Sequence, residues 1–301
     1  MQEIAVPSAE SGKKLVTFLK KQFPIGYVRK LFRKNGVRLN GQRAKPDNPI
    51  RMGDRVQLYI PFEVQAIHAS ATVTAPPIDI IFEDDSLLMV NKPAGMAVHE
   101  GRTIRKRESL FGVLEAKYRD TGWRPILVHR LDKDTSGLLL VAKNEKTADE
   151  LEACFETGKI DKEYLCLVAG RLPTNEGKID FPLPGREGNP VRAITRFKVD
   201  RRFSTTTLIR AWIDTGRLHQ IRLHFAKLGY PVVMDDQHGD FAFNKRFRKE
   251  HGLKRQFLHA ARLTLDFQGK RRQWSAPLPQ DLAQTVKSLG QSERRTSTGQ
   301  P

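Results

Sequence analysis

Apolar runs of strand character follow one another along this chain with few helices between them, and that succession restricts the fold more than any other feature. Leu138–Ala142, Tyr164–Ala169, Ala193–Val199, Thr206–Asp214 and Leu263–Phe267 read as strands, and Asp79–Glu83 and Leu87–Lys92 add two more around an acidic turn. Helical periodicity in the same region is confined to Leu110–Tyr118, Lys146–Thr157 and His219–Leu228. A doubly wound parallel sheet needs a crossover between successive strands, and most of these have none. The expectation is an α+β fold with a mixed, mainly antiparallel sheet over residues 79–285.

The front of the chain differs. Residues 1–61 hold 13 Lys/Arg against 4 Asp/Glu, a net +9 and half of the whole chain's +18. Leu15, Phe18 and Leu19 recur at helical spacing, as do Val28, Leu31 and Phe32, with Arg29, Lys30, Arg33 and Lys34 on the remaining faces of the second set. Asn40-Gly41 is a strong hairpin signal inside the basic run Gly36–Arg43, which carries Arg38, and Met52–Ile60 closes the unit as a strand. Two helices followed by a small basic hairpin resemble the S4-type RNA-binding domain. That resemblance implies a small α/β module in which Arg29, Lys30, Arg33, Lys34 and Arg38 meet RNA. Residues 62–78 lack periodicity and end in a Pro-Pro pair, as an inter-domain linker would. Residues 286–301, rich in Ser, Arg, Thr and Gln, are expected to form a disordered tail.

A net charge of +18 calls for a polyanionic partner. No basic amphipathic helix carries the apolar face that membrane binding needs, and no apolar run reaches spanning length, so nucleic acid is favoured over a membrane. The N-terminus lacks a secretory pattern, and Cys154 and Cys166 suit neither a zinc site nor a disulfide framework, which points to the cytoplasm. No phosphate loop, dinucleotide fingerprint or nucleophile elbow is present. His219 and His224 stand about 140° apart around a helix, so they do not share a metal. Neither a cofactor nor a metal is expected.

The chemistry is concentrated in His129-Arg-Leu-Asp-Lys-Asp-Thr-Ser-Gly137. Here Asp132 stands between Arg130 and Lys133, immediately before an apolar run that can anchor it. Taken alone, the segment fits a surface ion pair as well as an oxygen nucleophile or base.

Three further segments decide between these. Asp84–His99, Lys162-Glu-Tyr164 and Thr215-Gly-Arg-Leu-His-Gln-Ile-Arg-Leu-His224, together with the first, resemble the RluA family of RNA pseudouridine synthases. Asp235-Asp-Gln-His-Gly-Asp240 and Gln256–Ala260 extend the likeness to its RluC-like branch, which acts on large-subunit ribosomal RNA. The resemblance implies cofactor-free isomerisation of uridine to its C-glycoside by a cytoplasmic monomer, on 23S rRNA or a large-subunit assembly precursor. It implies Asp132 as the essential carboxylate, Arg217 as its paired arginine, and Tyr164 against the uracil. It also implies that Leu258 packs beside the base and that Arg130 enters the space a flipped base leaves. Leu218 stands where the family has Thr, and His238 near a common Tyr; both are expected to bear on packing or substrate fit only. Two alternatives remain at this point, the same chemistry on transfer RNA and a non-catalytic S4-type ribosome-binding protein. Whether Asp132 attacks the base, attacks C1′ or removes a ribose proton is also open.

Overall fold

The computed structural model describes residues 2–23, 28, 31–32, 35–59, 78–101, 104–185 and 188–297. The chain divides into two units, Met1–Val73 and Thr74–Pro301. Apart from Ile78, the expected linker lies outside the described residues, and so do Arg29, Lys30, Arg33 and Lys34.

In the first unit, strands β1 (Gln2–Ala5), β2 (Val37–Leu39), β3 (Gln42–Arg43) and β4 (Arg55–Leu58) form an antiparallel sheet in the order β1-β4-β2-β3. Asn40 and Gly41 join β2 to β3 with φ of 50° and 80°, the paired positive angles that a two-residue hairpin turn requires. Helix α1 (Leu15–Gln22) buries Leu15, Phe18 and Leu19 against Val28, Leu31, Ile50, Val56 and Leu58. Arg38 is exposed on β2, its guanidinium 4.7 Å from the centre of the Tyr59 ring.

The second unit is built on a ten-stranded sheet. Its strands are β5 (Asp79–Glu83), β6 (Leu87–Lys92), β7 (Ile126–Leu127), β8 (Ser136–Ala142), β9 (Ile160–Ala169), β10 (Glu176–Ile179), β13 (Thr195–Arg202), β14 (Thr206–Ile213), β15 (Leu258–Phe267) and β16 (Lys270–Ser275). A separate ribbon pairs β11 (Leu183–Pro184) with β12 (Pro190–Val191). The main order is β10-β13-β14-β9-β15-β8-β6-β5, with β16 beside β15 and β7 beside β8. Only the β8–β15 pair is parallel, so the sheet is mixed and mainly antiparallel, as its strand succession implied.

Both faces of the sheet are covered, which explains why β8 reads as one apolar run rather than as an alternation. Leu139 and Val141 face helices α2 (Leu110–Lys117) and α4 (Gln220–Lys227) through Leu110, Leu114, Ile221 and Phe225. Leu138 and Leu140 face α3 (Glu145–Glu156) through Ala148 and Leu151. Further along the sheet, α5 (Phe241–His251) and α6 (Gln280–Ser297) cover Leu167 and Leu208 with Phe247, Leu282 and Leu289. The disordered tail expected from residue 286 is thereby corrected: α6 runs to Ser297, because Leu282, Val286 and Leu289 recur on one face and find an apolar surface to bury them.

The parallel junction fixes the loop that precedes β8. Gly137 pairs with Ala260 at φ 111°, and a Cβ at that position would lie 2.2 Å from the Ala260 carbonyl oxygen. No L side chain fits either the angle or the space. Gly137→Ala is therefore expected to destabilise the fold by about 3 kcal/mol, combining left-handed strain with overpacking. Chemical denaturation measures it, and an unchanged midpoint would show that β8 and β15 can part without cost.

Candidate active site

Asp132 sits four residues before β8, in a loop strapped down through its backbone. The buried Lys92 ammonium donates to the carbonyls of Pro93 (2.9 Å), Met96 (2.8 Å) and Lys133 (3.0 Å). Gly95 N–H donates to the same Lys133 carbonyl at 2.9 Å. Arg255 Nη1 donates to the Asp134 carbonyl at 3.2 Å, and Gln256 Nε2 to Thr135 Oγ1 at 2.7 Å. Burial pushes Lys92 down to about 7, while three carbonyl acceptors favour its charged form, matching the three donors of an ammonium. The peptide carrying Asp132 is thus positioned from both β6 and the segment leading into β15.

The carboxylate meets an arginine on α4. Arg222 Nη1 donates to Asp132 Oδ2 at 3.0 Å, while Nε and Nη2 form a fork on Asp235, at 2.6 Å to Oδ2 and 2.8 Å to Oδ1. Burial opposes charge on both members of the fork. Their mutual hydrogen bonds prevail, raising Arg222 and lowering Asp235. Asp235 is braced in turn by the backbone N–H groups of Gln237 and His238, each at 2.9 Å.

The expected partner, Arg217, is not the one observed. It lines the same cavity but is exposed, and its Nε donates to the Arg192 carbonyl at 3.1 Å. Position explains the difference: Arg217 precedes α4, whereas Arg222 lies one turn inside it, where Ile221 and Phe225 draw that stretch into the core. A sequence signal did exist. An arginine on a helix this apolar needs a buried counter-charge, and the acidic pair at 235–236 follows within a short span.

Around this pair lies a cavity of about 780 Å³ lined by Arg130, Asp132, Tyr164, Arg217 and Leu258, with His129, Lys162, Leu218, His219 and Arg222. The five expected catalytic and base-contacting residues of the second unit therefore converge on one site. Tyr164 and Leu258 are 7 % and 4 % exposed and sit on the adjacent strands β9 and β15. Burial, and then the charge of Asp132, push the Tyr164 phenol up, so its hydroxyl stays protonated. Arg130 is exposed. Burial brings Lys162 down to about 8 and His129 to about 3. His129 is neutral, its Nε2 accepting from Leu140 N–H at 2.8 Å.

A histidine pair also stands at the site, and no spacing in the sequence signals it. His219 Nε2 lies 3.8 Å from Asp132 Oδ1, and its Nδ1 lies 3.0 Å from His238 Nε2. His238 therefore stands one ring away from Asp132. The αL backbone of His219, φ 52° at the start of α4, turns its ring towards the carboxylate. Leu218, 58 % exposed, lies at the cavity wall.

A family model described as RNA pseudouridylate synthase matches residues 86–227. Ribosomal large subunit pseudouridine synthase C of Salmonella typhimurium is 34 % identical over 304 residues, covering 93 % of each chain. Its Escherichia coli K12 counterpart is 34 % identical over 95 % of this chain and 96 % of its own. Among solved structures, human RNA pseudouridylate synthase domain containing 4 superposes with a TM-score of 0.61 at 22 % identity, over 70 % of this chain and 93 % of that one.

The two arginines make opposite forecasts. Arg222→Met strands the Asp235 carboxylate, which is 0 % exposed, and should destabilise the unit by about 3–5 kcal/mol. Arg217→Met should change stability by no more than about 0.5 kcal/mol. Equal losses in denaturant unfolding would contradict the pairing described.

Proposed function

This chain belongs to the RNA pseudouridylate synthase family, in its RluA-type branch, and from that premise we propose that it isomerises uridines of large-subunit (23S) ribosomal RNA, or of its assembly precursor. As a pseudouridine synthase it is an isomerase. The likeness to the synthase C relatives over nearly the whole chain supports the ribosomal substrate. The observation that carries the catalytic reading is the position of Asp132: a single hydrogen bond from Arg222 holds Oδ2, while Oδ1 accepts none among the described residues. Such a carboxylate is fixed in place yet keeps one oxygen available as nucleophile or base.

The remaining roles follow from the cavity. A stacked uridine cannot reach Asp132, so the base is flipped, with Tyr164 and Leu258 as its apolar walls and Arg130 at the exposed rim to enter the vacated stack. The protonated Tyr164 hydroxyl can take part in moving the C5 proton. A cytoplasmic monomer is part of the proposal. No helix among the described residues is long and apolar enough to cross a membrane.

RNA attraction belongs to the exterior. The first unit reads as an S4-type module with Arg38 on its exposed hairpin. In the second unit the outer face of α5 presents Lys245, Arg246, Arg248 and Lys249, all exposed and without a salt bridge among the described residues.

Asp132→Asn keeps shape and loses the charge; it should abolish pseudouridine formation while RNA affinity changes less than about threefold, since phosphate contacts carry the binding. Residual turnover above a few per cent sinks the role given to Asp132. Mapping pseudouridine in cellular RNA with and without the protein identifies the substrate, and sites lost only from transfer RNA would overturn the ribosomal assignment. Replacing the four α5 cations with Gln should flatten the slope of log affinity against log salt by about 3 units; an unchanged slope would point that face away from RNA.

A further inference from the structure

His219 and His238 share one hydrogen bond of 3.0 Å, and such a bond needs one N–H and one lone pair. For two neutral rings there are two arrangements. If His219 donates from Nδ1, its Nε2 turns a lone pair towards Asp132 Oδ1 at 3.8 Å, setting electron density against a carboxylate. If His238 donates from Nε2, His219 accepts on Nδ1 and carries its own proton on Nε2, which then faces the carboxylate. Coulombic attraction selects the second arrangement. In it, His238 is the residue that dictates which nitrogen of His219 bears the proton.

The groups facing His219 agree with a neutral ring. Burial disfavours charge on it and so do Arg222 and His238, while Asp132 and Asp235 act in the opposite sense; the balance lowers its pKa. The single proton on Nε2 is then the one that faces the carboxylate.

We propose that His238 is a positioning residue: by donating to His219 Nδ1 it aims the His219 Nε2–H at the Asp132 oxygen that Arg222 leaves open. A tyrosine in place of His238 can still donate to His219 Nδ1. A phenylalanine cannot. The two substitutions thus separate the donated bond from the mere loss of the imidazole.

The rate part of the test rests on the catalytic reading of Asp132; the tautomer part does not. Long-range proton–nitrogen NMR of the imidazoles in the full-length protein should find His219 protonated on Nε2 at pH 8. A proton on Nδ1 overturns the proposal whatever the enzyme does. In steady-state assays on ribosomal RNA, His238→Phe should lower kcat about tenfold with little change in KM, as loss of an oriented group would. His238→Tyr should recover most of that rate. An unchanged kcat in His238→Phe, or equal losses in the two variants, overturns the proposal. If no pseudouridine forms at all, the tautomer result stands alone, so failure of the catalytic reading and failure of this one are told apart.

Discussion

The catalytic end of this molecule depends on one guanidinium shared unequally between two carboxylates. Arg222 gives its fork to Asp235 and a single N–H to Asp132. A fully buried Asp235 offsets the loss of its hydration with this fork and with the N–H groups of Gln237 and His238, and the fork in turn compensates the desolvation of the guanidinium. What reaches Asp132 is the residual edge of a cation already half neutralised. Asp235 occupies the fork, and Asp132 receives a single N–H. On the reading proposed for Asp132, that division is what leaves its second oxygen available.

Such a balance requires that Asp132 not drift. Its loop is held mainly through backbone carbonyls, those of Lys133 and Asp134, and through Thr135. Straps of this kind leave the loop's charged side chains free to serve RNA, and they converge from elements distant in sequence. The parallel contact between β8 and β15 anchors the strand that follows, at a Gly137 that no other residue can replace without displacing Ala260. On the proposed reading, a site held this rigidly leaves the nucleotide as the part that moves.

Much of this was legible in the residues, and the rest failed for identifiable reasons. The Asn40-Gly41 turn and the apolar run of β8 are local consequences of backbone angle and two-sided burial, and both read directly. Asp132, Tyr164 and Leu258 were recognised by motif and converge in space. Arg217 was taken for Arg222 because both stand in one short segment, and only the start of α4 decides which points inward. The strand order, with β15 lying between β9 and β8, depends on pairings across roughly a hundred residues that no local pattern encodes. Helix α6 was misread because its polar composition hides the spacing of Leu282, Val286 and Leu289. His238 was set aside because its partner, His219, lies nineteen residues away, across α4 and the loop after it.

The charge of the chain separates into two populations with different physics. Inside the site, the ions are matched by named partners at hydrogen-bond distance, Arg222 by carboxylates and Lys92 by carbonyls, in surroundings that ionic strength barely reaches. Outside, the cations of α5 and Arg38 of the first unit are exposed, where screening governs them. A phosphate backbone drawn to the second population is released as salt rises, while the first keeps its geometry. Affinity and chemistry can therefore be tuned independently: a cation of α5, outside the cavity, adds to the attraction for a long polyanion without competing with Arg222 for the oxygen of Asp132.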